Sequence, residues 1–276
     1  MSAAETVGTE AGSRPDSLEQ YLMERGRQRR LLMPYVTAGV SPDWLELVDA
    51  VIDAGADAVE IGIPFSDPAI DGVTIQEATV VALEAGMTPQ RCLSELADRP
   101  FGVPLIAMTH YNLVYRYGHD RFASDLVAAG CRGTILPDLP LEHAADWLRA
   151  AEEQNLDNVL LAAPVTSDER LQRVVTETRG FVYVVSTMGT TGARDGVDDA
   201  ATTLARRVKA VTDKPAIVGF GISNAETAVT AATAADGVIL ASALMRRVLD
   251  GSSVEDAAQL VAEIRAGLDE AYPPTT

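Results

Sequence analysis

Short apolar runs alternate with longer half-polar stretches along almost the whole chain. The apolar runs cover residues 31–36, 58–63, 103–108, 133–136, 158–162, 181–186, 216–219 and 237–240. Each is too short for a helix and too continuously apolar for a strand wetted on one face, so each reads as a strand buried on both sides. Between them lie stretches with helical periodicity: 42–54, 74–85, 89–97, a helix near 120–129, then 141–153, 168–178, 199–211, 225–234, 243–249 and 254–268. Eight strands, each followed by a helix, predict an α/β fold, a closed parallel (β/α)8 or TIM barrel, rather than an open sheet. No dinucleotide-type glycine fingerprint supports the open alternative.

One further helix precedes the first strand. Ser17 is placed to cap it, with Gln20 three residues on as the partner of a capping box, and it runs to the basic residues near Arg30. Residues 1–16 are small and polar without apolar period, which predicts a disordered tail ahead of a single barrel domain over 17–270.

Composition narrows the partners. The 276 residues carry 40 acids against 22 bases, a formal net charge of −18, which argues against nucleic acid or an anionic membrane surface. No apolar run reaches membrane-spanning length. The two cysteines, Cys92 and Cys131, make no disulfide framework, and a cytoplasmic location is expected. A phosphorylated small molecule remains compatible with this charge, because backbone N–H groups and helix N-termini bind phosphate without cations.

The most informative stretch is Asp57 to Gln76, DAVEIGIPFSDPAIDGVTIQ. Glu60 lies inside a strand expected to be buried, where a lone carboxylate is too costly to stand uncompensated. It is therefore a structural carboxylate tied to a backbone group or arginine, or a working acid. Pro64 ends the strand, Asp71 follows in the loop, and Gly72 precedes the next helix. Barrel chemistry sits at the C-terminal ends of the strands. Glu60, Asp71, His110, Asn112, Asp138, Tyr183 and Ser186 all fall there.

Elimination narrows the chemistry. The only lysines, Lys209 and Lys214, lie in a helix and ahead of the seventh strand, the wrong end for a Schiff base. Of the three histidines only His110 ends a strand, so no histidine-based metal cluster is expected, and an all-carboxylate magnesium site is the alternative left open. No local motif supports a serine or cysteine nucleophile. What remains is general acid–base catalysis by carboxylates, with Glu60 the best-placed candidate. Glycine-rich corners after strands six to eight, at Gly189–Gly192, Gly219–Ser223 and Ala241-Ser242, form the expected phosphate site.

Glu60, Pro64-Phe65-Ser66-Asp67-Pro68, Asp71-Gly72 and Thr74-Ile75-Gln76 together resemble the signature of the tryptophan synthase α subunit family. The likeness continues in order through Met108-Thr109-His110-Tyr111-Asn112, Pro137-Asp138-Leu139-Pro140, Ala163-Pro164, Gly189 to Ala193 and Gly219-Phe220-Gly221-Ile222-Ser223. The resemblance implies retro-aldol cleavage of indole-3-glycerol phosphate to indole and glyceraldehyde 3-phosphate, without a cofactor or metal of its own. It makes Glu60 the acid–base group and Asp71 the group that stabilises charge at the indole N–H. Tyr183 would shape the pocket, and the N–H groups of Gly192, Gly221, Ala241 and Ser242 would hold the phosphate. Thr191 would meet Asp71 when the loop after strand six closes.

Two departures stand out. Val73 occupies a place where the family commonly has proline, which puts loop stiffness in question. Ala241 replaces a common glycine, a change tolerable only where that residue's φ is negative. The family further implies a pyridoxal-phosphate β subunit as partner in an α2β2 assembly. Phe65 would either belong to that contact or pack under its own loop. A free-standing lyase and a barrel retained as an activator of β are the competing readings.

Overall fold

The computed structural model describes residues 17–185, 199–219 and 221–275, so the expected tail at 1–16 lies outside the described residues. Eight parallel strands close in chain order into one barrel: β1 (Leu31–Thr37), β2 (Val59–Gly62), β3 (Leu105–Met108), β4 (Cys131–Ile135), β5 (Asp157–Ala162), β6 (Val182–Val184), β7 (Ala216–Val218) and β8 (Gly237–Leu240). Closure comes from β8 pairing back onto β1, with Leu31 opposite Gly237 and Pro34 opposite Leu240. Every strand expected from the apolar pattern is present, and the fold is the (β/α)8 barrel.

The helices are α1 (Leu18–Gln28), α2 (Trp44–Asp53), α3 (Val73–Glu84), α4 (Pro89–Ala97), α5 (Tyr111–Tyr117), α6 (His119–Ala128), α7 (Ala145–Glu153), α8 (Asp168–Glu177), α9 (Asp199–Lys209), α10 (Ala225–Ala231), α11 (Ser242–Leu249) and α12 (Val254–Ala271). Three details differ from expectation. Helix α5 was not foreseen: it is a short aromatic segment without a clean apolar stripe, cut from α6 by Gly118 at φ +92°. The predicted helix 141–153 is a 3-10 turn at Leu141–His143 followed by α7. Ser17 caps α1 by accepting from the Gln20 N–H at 3.1 Å, but the Gln20 Oε1 takes no hydrogen bond among the described residues, so the reciprocal half of the capping box is not made.

The two faces of each strand serve different cores. One set of side chains, including Leu31, Met33, Ala58, Ile106, Ile135, Val159, Phe181, Tyr183, Ile217 and Ile239, forms an inner cluster. The other set packs outward against the helices. Leu18 and Leu22 of α1 are fully buried members of the inner cluster, so α1 plugs the barrel's N-terminal end. Burying each leucine contributes roughly 1.5–3 kcal/mol.

The plug is fastened by charge. Asp57, just ahead of β2 and fully buried, accepts from Arg25 at 2.8 Å and Arg29 at 2.7 Å, both at the end of α1. Its other oxygen takes the Leu32 N–H at 3.0 Å and lies 3.4 Å from Arg265 of α12. One carboxylate thus ties both terminal helices to the strand ends opposite the expected active site.

Candidate active site

Strand β2 carries Glu60 into the barrel mouth, where it is fully buried. It lies in register with Tyr35 of β1 and Ile106 of β3. Among the described residues neither carboxyl oxygen has a hydrogen-bond partner, which speaks against the tethered structural carboxylate of the alternative reading. Burial pushes its pKa up to about 8. At neutral pH it stands in the site as a neutral acid with a proton to give.

A narrow cleft opens at this end of the barrel, lined among others by Tyr35, Phe65, Asp71, Met108, Thr109 and His110. Asp71 reaches it from the loop between β2 and α3. Burial raises the Asp71 pKa, His110 pulls it back, and Asp138 raises it further. The loop is held from within. The Gln76 side-chain amide, one turn into α3, donates to the carbonyls of Asp71 at 2.9 Å and Pro68 at 3.2 Å. The Asp71 N–H closes a turn onto the Pro68 carbonyl at 3.1 Å. Val73 is the first residue of α3, a position where the fixed φ of proline is only one way to start a helix, and the Gln76 clamp supplies the restraint.

Two phenols flank Glu60. Burial raises the Tyr35 pKa, and Asp71 and Glu60 add to the effect. Burial likewise pushes Tyr183 well above its ordinary value, with Glu60, Tyr35 and Asp71 acting in the same direction. Each ring lies against a glycine: the Tyr35 phenol over Gly62 of β2, and the Tyr183 phenol over Gly219 beyond β7.

Beside them, Phe65 stacks on His110 with ring centroids 5.0 Å apart, so Phe65 is half-buried in the mouth instead of projecting from it. Thr109 donates to the Ile63 carbonyl at 3.0 Å, joining the ends of β2 and β3. Asn112, grouped with these residues in the sequence, is exposed on α5. Asp138 is also exposed and accepts the Tyr111 N–H at 2.8 Å, fixing the start of α5.

The expected phosphate corner is partly described. Gly221 holds φ +71°, a left-handed conformation that favours glycine. Ala241 has φ −114°, so its methyl group is accommodated, which answers the question raised by the loss of glycine there. Ser242 opens α11, and the first helical hydrogen bond runs from the Met245 N–H to the Ala241 carbonyl at 3.0 Å. The N–H groups of the first turn have no acceptor within the helix, as at any helix N-terminus. Thr191 and Gly192, together with Ser186, lie outside the described residues.

Sequence reasoning missed Tyr35 and the clamping role of Gln76. Tyr35 was hidden in an apolar run, and only its cross-strand register with Glu60 exposes it. Among the described residues, no group of three or more His, Cys, Asp or Glu side chains is arranged to hold a metal ion, and no helix is long and apolar enough to cross a membrane.

Comparison with known proteins agrees with this geometry. The family model described as "Tryptophan synthase alpha chain" matches residues 22–271. The tryptophan synthase alpha chain of Mycobacterium marinum is 43% identical over 254 residues, covering 91% of this chain and 93% of its own length. That of Methanothermobacter thermautotrophicus is 45% identical over 219 residues, covering 77% and 81%. Among solved structures, a tryptophan synthase chain of Mycobacterium tuberculosis superimposes with a TM-score of 0.84 at 40% identity, covering 91% of this chain and 97% of that one. The A-subunit of Pyrococcus furiosus tryptophan synthase does so with a TM-score of 0.78 at 34% identity, covering 87% and 99%. From the clamped Asp71 loop to the extent of these matches, the conclusion is that the chain belongs to the tryptophan synthase alpha chain family.

Proposed function

We propose that this chain cleaves indole-3-glycerol phosphate to indole and glyceraldehyde 3-phosphate, with Glu60 as the general acid and base and Asp71 as its electrostatic partner. The observation that carries the reading is the state of Glu60: buried, unpartnered and neutral at pH 7, at the mouth of the barrel. The neutral acid gives its proton to C3 of the indole ring, making an indolenine whose ring nitrogen is cationic. Asp71, ionised, stabilises the charge at the indole N–H. The Glu60 carboxylate then takes the proton of the glycerol hydroxyl next to the ring. The O–H pair becomes the new C=O bond, the C–C pair returns to the ring, and the ring charge is neutralised. Glu60 ends protonated, as it began. The substrate's own ring is the electron sink.

Tyr35 and Tyr183 wall the pocket, the N–H groups of Gly192, Gly221, Ala241 and Ser242 hold the phosphate, and Thr191 meets Asp71 on closure. The chain acts as the α subunit of an α2β2 assembly whose pyridoxal-phosphate β subunit consumes the indole, and it works in the cytoplasm. Family membership supports this pairing.

The test is cleavage of indole-3-glycerol phosphate by the purified chain, with and without a matched β subunit, beside Glu60→Gln. Strong stimulation by β and an inactive variant are expected. Full activity without β makes it a free-standing lyase. Absence of cleavage in both conditions overturns the enzymatic reading.

A further inference from the structure

His110 is a buried polar side chain of the cleft that the reaction above leaves without a task. It is 7% exposed, and its Nε2 has no hydrogen-bond partner among the described residues. Buried polar atoms are nearly always paired, and an orphan beside a reaction site calls for an explanation. The ring is not free to seek a partner elsewhere. It sits at the junction of β3 and α5, and Phe65 stacks on its face.

Phe65 and Asp71 belong to the same loop, and Asp71 lines the same cleft as His110. The loop that presents Asp71 is therefore docked on the histidine through Phe65 and clamped internally by Gln76. Other acceptors nearby are committed or unsuitable. Asp138, from the loop after β4, is exposed outside the cleft lining, and one of its oxygens accepts the Tyr111 N–H. Glu60, on β2, is a neutral acid at pH 7. Tyr35, on β1, shares the cleft, and its phenol lies against Gly62. On the side of α5 and α6, the Tyr111 hydroxyl and the His119 ring are paired with each other at 3.0 Å.

We propose that His110 is a positioning residue for Asp71: in the working enzyme its Nε2–H donates a hydrogen bond to the Asp71 carboxylate and keeps that group ionised while the indole nitrogen carries charge. The inference rests on the role given to Asp71 above. A hydrogen bond to the charged form of a carboxylate favours that form, and it opposes the burial that drives Asp71 toward neutrality. The direction of the electrostatic effect of His110 on Asp71 agrees with this.

The experiment compares wild type, His110→Phe and His110→Gln in the αβ complex, recording kcat, KM and the pH profile of kcat/KM for indole-3-glycerol phosphate cleavage. Phenylalanine keeps the stack on Phe65 and removes the donor, whereas glutamine restores a donor near the position of Nε2. His110→Phe is expected to lower kcat on the order of tenfold with little change in KM. Its acid limb should move to higher pH, because Asp71 then protonates sooner. His110→Gln should recover most of the rate and return the limb toward wild type. An unmoved acid limb in folded His110→Phe, or glutamine behaving like phenylalanine, overturns the proposal. If His110→Phe does not fold, Phe65→Leu carries the test, since it unseats the ring and should move the limb in the same direction; an unmoved limb there overturns the proposal equally. Asp71→Asn separates the two levels. Activity surviving in Asp71→Asn removes the role of Asp71 itself, whereas an inactive Asp71→Asn with unaltered His110 variants removes only the role of His110.

Discussion

The phenol of Tyr35 fills the space that a side chain on Gly62 would need, so β1 and β2 meet in the barrel mouth only because one of them lacks a Cβ. The same strands are in register at Tyr35 and Glu60. The glycine therefore sets where the tyrosine ring lies relative to the acid. Gly62→Ala is expected to push the ring into the substrate space, lowering kcat/KM by roughly 10- to 100-fold and destabilising the fold by about 1–3 kcal/mol. Tyr35→Phe in the Gly62→Ala background removes the atom nearest the new methyl group and should restore part of both. Steady-state cleavage and thermal melts of the single and double variants check this. Equal damage in the single and double variants would show that the glycine matters for another reason.

Glu60 links activity to stability through one proton. Its folded pKa of about 8 lies above the ordinary value of 4.5. The folded state therefore binds the proton more tightly than the unfolded state, and stability falls as pH rises between those two values. Below 4.5 and above 8 the effect is flat. Glu60→Gln removes the ionisable group and should be more stable than wild type by on the order of 3 kcal/mol at pH 7, with the difference vanishing toward pH 4.5. The same variant should lose at least 100-fold in cleavage rate. In wild type, kcat/KM should decline above about pH 8 as the acid loses its proton in the free enzyme. Urea unfolding across pH 5 to 8, beside the pH–rate profile, tests both halves.

Much of this is legible in the amino-acid sequence alone. The alternation of apolar runs with helical stretches gave the barrel because a parallel strand buried on both faces leaves an unmistakable uniform run, as at β8 (Gly237–Leu240). Glu60 was conspicuous because it breaks such a run. Tyr35 was invisible for the opposite reason: a tyrosine among Met33, Pro34 and Val36 looks like core, and only cross-strand register reveals what it faces. Gln76 was recognised as part of a motif, but its task depends on a loop turning back over the start of α3, which spacing alone does not encode. Phe65 was ambiguous until its partner was known, since His110 lies 45 residues along the chain.

Gln76 offers a clean test of loop restraint. Its amide holds two carbonyls of the Asp71 loop and, being part-buried, has no hydrogen-bonding counterpart in leucine. Gln76→Leu leaves those carbonyls without that donor and frees the loop, so kcat/KM should fall roughly tenfold, as expected when a catalytic group is held less precisely. Global stability should drop by only about 1 kcal/mol. Gln76→Glu should fare worse than leucine, because a carboxylate would face two carbonyl oxygens. Kinetics and limited proteolysis of the 64–72 loop measure the two effects. A Gln76→Leu enzyme with wild-type kcat/KM would mean that the loop is positioned by other contacts, Phe65 on His110 foremost among them.

The opposite end of the barrel should respond in the opposite way. Asp57 is fully buried and compensated by Arg25, Arg29 and Arg265, with the Leu32 N–H on the same oxygen as Arg265. Removing that carboxylate takes their shared partner from three guanidinium groups at the point where α1, α12, β1 and β2 converge, although Arg265 keeps Asp269 and Arg29 keeps the Gly55 carbonyl. Asp57→Ala is therefore expected to destabilise by about 3–5 kcal/mol, the range for breaking a buried ion pair from one side. Asp57→Asn keeps the volume and one acceptor and should lose less. Neither change touches the mouth, so cleavage per folded molecule, measured at a temperature below both melts, should stay near wild type. A melt lowered for Asp57→Ala with unchanged kcat is the expected pairing. A comparable loss of kcat would show that the α1 plug transmits its position through the inner cluster, from Leu18 and Leu22 up to Tyr183.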